Sequence, residues 1–288
     1  MSVRSDRTSK EPFGYCLNTS TIKGQGLGIV EEIEVAAKAG YAGIEPWVAE
    51  LDAYVEKGGS LDDLGRRIAD LGLSVENLIG FFEWVVDDPA RRRAALEDAR
   101  RILAMAQKIR CKRLAAPPMG AVNAPETRLA DAAARYRELL LIGRNFGVIP
   151  MIEFWGVSRC LGRLGEAVHV AIESGERDAC VLADIYHMYK SGSGHNGLRL
   201  LGPSTLGLVH VNDYPATPPR ETITDAQRVH CGDGIAPWGT ILRDLAAIGY
   251  RGMLSVELFN EAYWKQEALA CARTALDKLR RVVQENLG

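Results

Sequence analysis

The chain has 288 residues, 47% hydrophobic and 25% charged, with a formal net charge of −2. This is an ordinary globular composition with material for one large core. The near-neutral balance lacks the basic stripe that a nucleic-acid partner calls for; the densest basic stretch, RRRAALEDARR (91–101), interleaves Glu97 and Asp98 as a solvated helix face does.

Residues 1–10 (MSVRSDRTSK) are polar and carry no apolar h-region. They read as a flexible N-terminal segment ahead of one domain over 11–288, and not as a secretory signal. No run of about 18 apolar residues occurs, so no membrane span is expected. Cys16, Cys111, Cys160, Cys180, Cys231 and Cys271 form no CxxC pair, and several sit in or beside apolar strands. A free cysteine there behaves as a small hydrophobe. This fits a reducing cytoplasm and argues against a disulfide framework or a thiolate zinc site.

Short apolar runs then alternate with segments of helical period. FGYCLN (13–18) predicts a strand, and GIVEEIEVAAKAG (28–40) a helix that stops at Gly40. YAGIEPW (41–47) is a second strand, and SLDDLGRRIADLG (60–72) a helix with Ser60 as its N-cap. SVENLIGFF (74–82) is a third strand, followed by a long helix over 88–109 with Pro89 near its first turn. KRLAAPPMG (112–120) leads to a helix over 124–147, and VIPMIEFWG (148–156) to one over 161–175. ACVLADIYH (179–187) precedes a glycine-rich loop and a short segment. LGLVHVNDYP (206–215) precedes a long polar loop and a helix over 236–250. GMLSVELFN (252–260) precedes a final helix over 261–288. Eight strand–helix units with no linker predict a parallel sheet closed into a single (β/α)₈ TIM barrel. An open doubly wound sheet would want GxGxxG at its first turn. KGQGLG (23–28) does not match and reads as a plain loop into a helix.

In such a barrel the catalytic groups come from the C-terminal ends of the strands, which share one mouth. The last four predicted strands end in Glu153, Asp184, His210 and Glu257, each after mostly apolar residues. One buried carboxylate there would be costly, whereas four converging groups compensate one another around a divalent cation. Three carboxylates and one imidazole suit Mn²⁺ first, with Mg²⁺ and Co²⁺ close behind and Zn²⁺ still within the set. Glu45 ends the second strand and is a candidate for substrate contact or a structural hydrogen bond. Asp213 is a candidate to orient His210 or to bind substrate. Trp155, with Trp47, Phe81, Phe82, Trp84 and Trp238, is a candidate wall for a sugar pocket, with core packing as the alternative. The loop SGSGH (191–195) and His230 near the mouth carry weaker signals, and His169 reads as structural.

On IEFWG, ADIYHMYKSG, LVHVNDYP and GDGIAPWGTILRDLAAIGYRGMLSVELF the chain resembles the sugar phosphate isomerase/epimerase family of xylose isomerase-like barrels, over nearly its full length. Ketose 3-epimerases and inosose dehydratases are similar. The resemblance implies one divalent metal held by Glu153, Asp184, His210 and Glu257. It also implies that Glu153 and Glu257 face opposite sides of a substrate carbon, one removing a proton and the other returning one. It implies His187 as a contact to substrate oxygen and points to Arg220 as the substrate arginine. The family's epimerases carry a substrate-binding Glu six positions after the first ligand, where this chain has Arg159. That departure puts a free ketohexose in doubt. It leaves open an acidic or phosphorylated substrate, or an arginine neutralised within the chain.

The expected reaction is abstraction of a proton α to a carbonyl in a sugar-like substrate, giving isomerisation or epimerisation, with dehydration as the alternative. An endonuclease IV-like repair enzyme would need more than the five histidines present and a cationic DNA surface. A non-catalytic barrel would have no use for a complete ligand set. By resemblance the chain is expected to be a cytoplasmic dimer or tetramer.

Overall fold

The computed structural model of the protein describes residues 11–288, so the polar segment 1–10, read above as flexible, lies outside the described residues. The strands are β1 (Gly14–Asn18), β2 (Gly43–Glu45), β3 (Ser74–Val75), β4 (Arg113–Ala116), β5 (Ile149–Glu153), β6 (Val181–Asp184), β7 (Leu206–Val211) and β8 (Met253–Val256). They pair in parallel in the order β3-β2-β1-β8-β7-β6-β5-β4. Leu78, just past β3, bridges Leu114 of β4, with Leu78 N–H on Arg113 O (3.2 Å) and Ala115 N–H on Leu78 O (3.1 Å). That bridge closes the sheet into a barrel.

Around it run α1 (Ile29–Ala39), α2 (Val48–Glu56), α3 (Leu61–Asp70), α4 (Pro89–Lys108), α5 (Leu129–Arg144), α6 (Leu164–Glu173), α7 (Ile185–Lys190), α8 (Trp238–Ala247), α9 (Glu261–Trp264) and α10 (Ala268–Leu287). Local chemistry sets their ends. Gly40 closes α1 at φ 95°, a left-handed conformation that costs glycine little, and its N–H returns to Ala36 O and Ala37 O. Ser60 caps α3 by accepting from Asp63 N–H. Asp88 caps α4 by accepting from the Ala90 and Arg91 N–H groups, and Pro89 fills the first turn, where no N–H is needed.

Inside the barrel, Cys16, Ile79, Ala115, Met151, Cys180, Leu182, Leu208 and Met253 pack as a separate apolar cluster, while the larger core lies between sheet and helices. Layers of this kind make the interior of a small barrel a packed core and not a pore. A side chain at Gly14 would collide with Met253, and one at Gly207 with Met151, so the glycines make room for the two long thioethers. All six cysteines are buried and free. Among the described residues no helix is long and apolar enough to cross a membrane.

The structure departs from the sequence reading in four places. Val48–Glu56 forms a helix absent from the sequence reading, although Pro46 precedes it and Gly58 and Gly59 follow it. The third strand is a two-residue ladder followed by single bridges, Ile79 to Trp47 on the β2 side and Leu78 to Leu114 of β4. Strand six stops at Asp184, and Ile185–Lys190 is helical. The final helix is broken between Trp264 and Ala268, where Glu267 starts a new helix by accepting from the Leu269 and Ala270 N–H groups.

Candidate metal centre

Parallel register builds the centre. Asp184 on β6 stands opposite His210 on β7, His210 stands opposite Ser255 on β8, and Glu257 follows β8 directly. One ligand atom from each of Asp184, His210 and Glu257 lies within 4.8 Å of the others. All three residues are buried. Two carboxylates this close repel unless positive charge comes between them.

Glu45, fully buried at the end of β2, orients the imidazole. Both its oxygens lie 3.0 Å from His210 Nε2, and it also accepts from Asn77 Nδ2 (2.9 Å) and from the Ser255 hydroxyl. A carboxylate only accepts, so Nε2 is the donor. His210 Nδ1 then faces Glu257 Oε2 at 3.2 Å and Asp184 Oδ2 at 3.8 Å, and it is a buried nitrogen with no hydrogen-bond partner. A ligating imidazole is held in this way, one nitrogen given to a carboxylate and the other presented to the ion.

Arg228, 1% exposed, is the counter-charge. Its Nη1 donates to Asp184 Oδ2 (2.8 Å) and to Glu257 Oε2 (2.9 Å), and its guanidinium stacks 4.3 Å over the Tyr186 ring. Asp225 fixes the guanidinium from behind, accepting from Nε at 3.0 Å and also from Nη2. Burial alone would raise the Asp184 carboxyl, but Arg228, with His187 and His210, overcomes it and holds the group well below the usual carboxylate range. Burial alone would lower His210. The Glu257 and Glu45 carboxylates reverse that and hold the imidazole well above its ordinary value. Burial pushes Glu153 up to about 8, helped by Glu257 and Asp184 and opposed by His210.

These residues fit a divalent ion. The donors are carboxylate oxygens and one imidazole nitrogen without a thiolate, a set open to Mn²⁺, Mg²⁺, Co²⁺ and Zn²⁺. The orphaned Nδ1 supplies the nitrogen. The positive charge that Arg228 gives Asp184 and Glu257 is what such an ion would add to.

A cavity of about 450 Å³ opens above this cluster, lined by Trp47, Ile79, Phe81, Val122, Glu153, Trp155, Val157, His187, Asp225, Arg228, Glu257 and Phe259. Of the residues singled out in the sequence, Glu153, Glu257, His187, Trp155, Trp47 and Phe81 line it, while Asp184, His210 and Glu45 lie beneath. Glu153 stands outside the tight group of Asp184, His210 and Glu257. His187 Nε2 is 3.4 Å from Arg228 Nη2.

Three expectations are corrected. Arg220 is not in the cavity. It donates to Lys190 O (3.3 Å) and pairs with Glu221 (2.6 Å), so the arginine at the centre is Arg228. Asp213 does not touch His210. It accepts from Gly232 N–H (3.0 Å), Ala236 N–H (2.9 Å) and Trp238 Nε1 (2.8 Å), which fastens the loop after β7, and Glu45 holds the imidazole instead. Arg159 is exposed, does not line the cavity and makes no ion pair among the described residues. The arginine is therefore not neutralised within the described chain.

Asn18 was missed. Its Nδ2 donates to Glu257 Oε1 (3.1 Å) and its Oδ1 accepts from Trp47 Nε1 (2.9 Å). It ends β1, so the strand-end rule applied to the first strand would have found it. Asp225 and Arg228 lie in a loop that tertiary packing alone brings to the mouth, and no local signal marks them.

A family profile described as xylose isomerase-like TIM barrel matches residues 33–282. The chain is 25% identical over 285 residues to an inosose isomerase of Halalkalibacterium halodurans, covering 94% of this chain and 96% of that protein. It is 26% identical over 264 residues to a 3-dehydroshikimate dehydratase of Pseudomonas aeruginosa, covering 88% of this chain and 39% of that longer protein. A crystal structure of an IOLI protein with a binding zinc atom superposes with a TM-score of 0.88 at 22% identity, over 96% of this chain and all of that one.

Proposed function

The chain belongs to the xylose isomerase-like TIM barrel family, and from that premise we propose that it is a divalent-metal-dependent isomerase or epimerase of a sugar-like hydroxyketone. One observation carries the reading. Two carboxylates, Glu153 and Glu257, line the cavity directly above the Asp184–His210–Glu257 cluster. An ion held there would act as a Lewis acid on the substrate carbonyl, a contribution of several kcal/mol.

The chain's own residues supply the rest. Asn18 and Arg228 fix the Glu257 carboxylate through 3.1 Å and 2.9 Å hydrogen bonds, so it meets a substrate carbon in one orientation. Glu153 approaches from β5, which is not a neighbour of β8 in the barrel. The substrate gives up its α-proton to one of the two, and the flat enediolate left between them takes a proton from the other. Each positioned acid–base step is worth about 10²–10⁴ in rate. Arg228, whose N–H groups are given to Asp184, Glu257, Asp225 and His187, sets its positive charge beside the oxygen on which charge would develop.

Dehydration is the second reading. Glu153 holds its proton up to about 8, which equips it to protonate a departing hydroxyl, and the similarity to a dehydratase supports the same idea. The test is chromatography that resolves isomers, coupled to mass spectrometry, after the Mn²⁺-loaded protein meets inososes, ketoses and 3-dehydroshikimate. A product of unchanged mass supports isomerisation or epimerisation, a product lighter by one water supports dehydration, and inertness toward all three classes counts against both.

A further inference from the structure

A second cavity, of about 490 Å³, lies at the start of α1 and along α2, and Trp47 is the one residue it shares with the cavity over the candidate metal centre. Leu27, Ile29, Ala49 and Ala53 make much of its wall apolar, and Trp47 and Tyr54 add two aromatic rings. Three acids line it, and two of them are engaged. Glu31 accepts from Gly28 N–H (2.6 Å), and Glu50 accepts from Trp47 N–H (2.9 Å) and lies 2.9 Å from the Thr19 hydroxyl. Glu32 is not engaged in this way. It is 2% exposed, and its Oε2 has no hydrogen-bond partner. An unpaired buried acceptor is costly, so it points to a donor that the chain does not supply. Burial, with Glu50 and Glu31, pushes Glu32 up to about 9 against the pull of Lys23, and burial also raises Glu50.

The missing donor should be a cation, because two acids of this cavity are buried together. A metal ion does not suit it. Among the described residues three ligating atoms meet only at Asp184, His210 and Glu257, and the apolar walls favour a ligand with carbon of its own. An ammonium does suit it. The Lys23 ammonium already lies 4.8 Å over the Trp47 ring, so that face accepts such a group. Lys23 and Lys57 are both exposed, and neither reaches the orphaned Oε2. We propose that this cavity is a second binding site, for a small organic ligand that gives a primary ammonium N–H to Glu32 Oε2 and lays its carbon chain against Trp47 and Tyr54. The site is independent of the reaction proposed above.

Butylammonium and 1-butanol are nearly equal in size and differ in charge, and an alkylammonium stays charged to about pH 10, as lysine does. Each is titrated at pH 8 into the Mn²⁺-loaded full chain with its alanine methyls labelled for NMR. Butylammonium is expected to shift the Ala49 and Ala53 signals saturably and to bind at least about tenfold more tightly than butanol, the scale of a charge-assisted hydrogen bond. Glu32→Gln is expected to weaken it about tenfold or more. Lys23→Gln is expected to tighten it, since a competing ammonium leaves the Trp47 face. Between pH 7 and 8 the affinity should rise about fivefold or more, because Glu32 must lose its proton to pair with the ammonium; Glu31, Glu50, Lys23 and Lys57 are the other charged groups in the cavity. Glu32→Gln should abolish that rise, and if this variant does not fold, the rise in the parent chain stands as the test. Equal binding of butanol, no saturable binding, or saturation that leaves Ala49 and Ala53 unmoved overturns the proposal. So does affinity unchanged by Glu32→Gln, weakened by Lys23→Gln, or flat between pH 7 and 8.

Discussion

Glu45 acts through His210. It makes Nε2 a donor and so leaves Nδ1 for the ion. Glu45→Gln keeps the size and loses the charge, and it is expected to weaken metal affinity about tenfold, as loss of a partner behind a ligand does. His210→Ala and Asp184→Asn remove ligands and should weaken it further, all read by competition with a chelator. Unchanged affinity in both ligand variants would exclude the site. Glu32 on α1 offers a separate check. It is 2% exposed with Oε2 unpartnered, and burial, with Glu50 and Glu31, raises it from 4.5 to about 9. The folded chain therefore holds a proton that the unfolded chain releases near 4.5. Its stability is fullest below that pH and falls as pH rises toward about 9. Glu32→Gln should gain on the parent protein between pH 5 and 9, by about 2 °C or more in Tm at the alkaline end. A constant difference across that range would contradict it. At this scale the strand-end residues Glu153, Asp184, His210 and Glu257 were legible, because alternation along a strand fixes which side chains face the mouth. Arg228 was not, because its place depends on how a long loop folds back.

The elements explain why some boundaries escaped the sequence. Asp184 ends β6 and, in the same residue, caps α7 through the Tyr186 and His187 N–H groups (2.7 and 3.2 Å). The apolar, aromatic run after it looks like strand, yet the cap turns it into helix and brings His187 to the cavity. A strand continuing through His187 would have pointed that side chain elsewhere. The loop between β7 and α8 delivers Asp225 and Arg228, and Asp213 ties it at Gly232, Ala236 and Trp238. Asp213→Ala is expected to cost about 2–4 kcal/mol in denaturant unfolding, since it leaves the buried Trp238 Nε1 and Tyr214 N–H donors unpaired. The Gly232 and Ala236 amides should exchange faster with solvent, and because Arg228 loses its support, activity should fall with them. Exchange unchanged at both amides would show that the loop holds itself without Asp213.

At the scale of the whole molecule, eight alternating units gave away the barrel because no linker interrupts them and each helix has one apolar face to lay on the sheet. Closure was less visible. It rests on the Leu78–Leu114 bridge, where the irregular stretch after β3 meets β4 and no ladder forms. The barrel brings Glu153 and Glu257 from distant stretches of chain to one cavity beside the Asp184–His210–Glu257 group, which could hold a metal ion. The most direct test follows label at the carbon beside the carbonyl. The metal-loaded protein, incubated with an authentic substrate in D₂O, should place deuterium there. Glu153→Gln or Glu257→Gln should slow that exchange by about 10²-fold or more while metal is still bound. A substrate labelled at that carbon that turns over with no primary isotope effect and keeps its label in place would contradict proton abstraction by this pair.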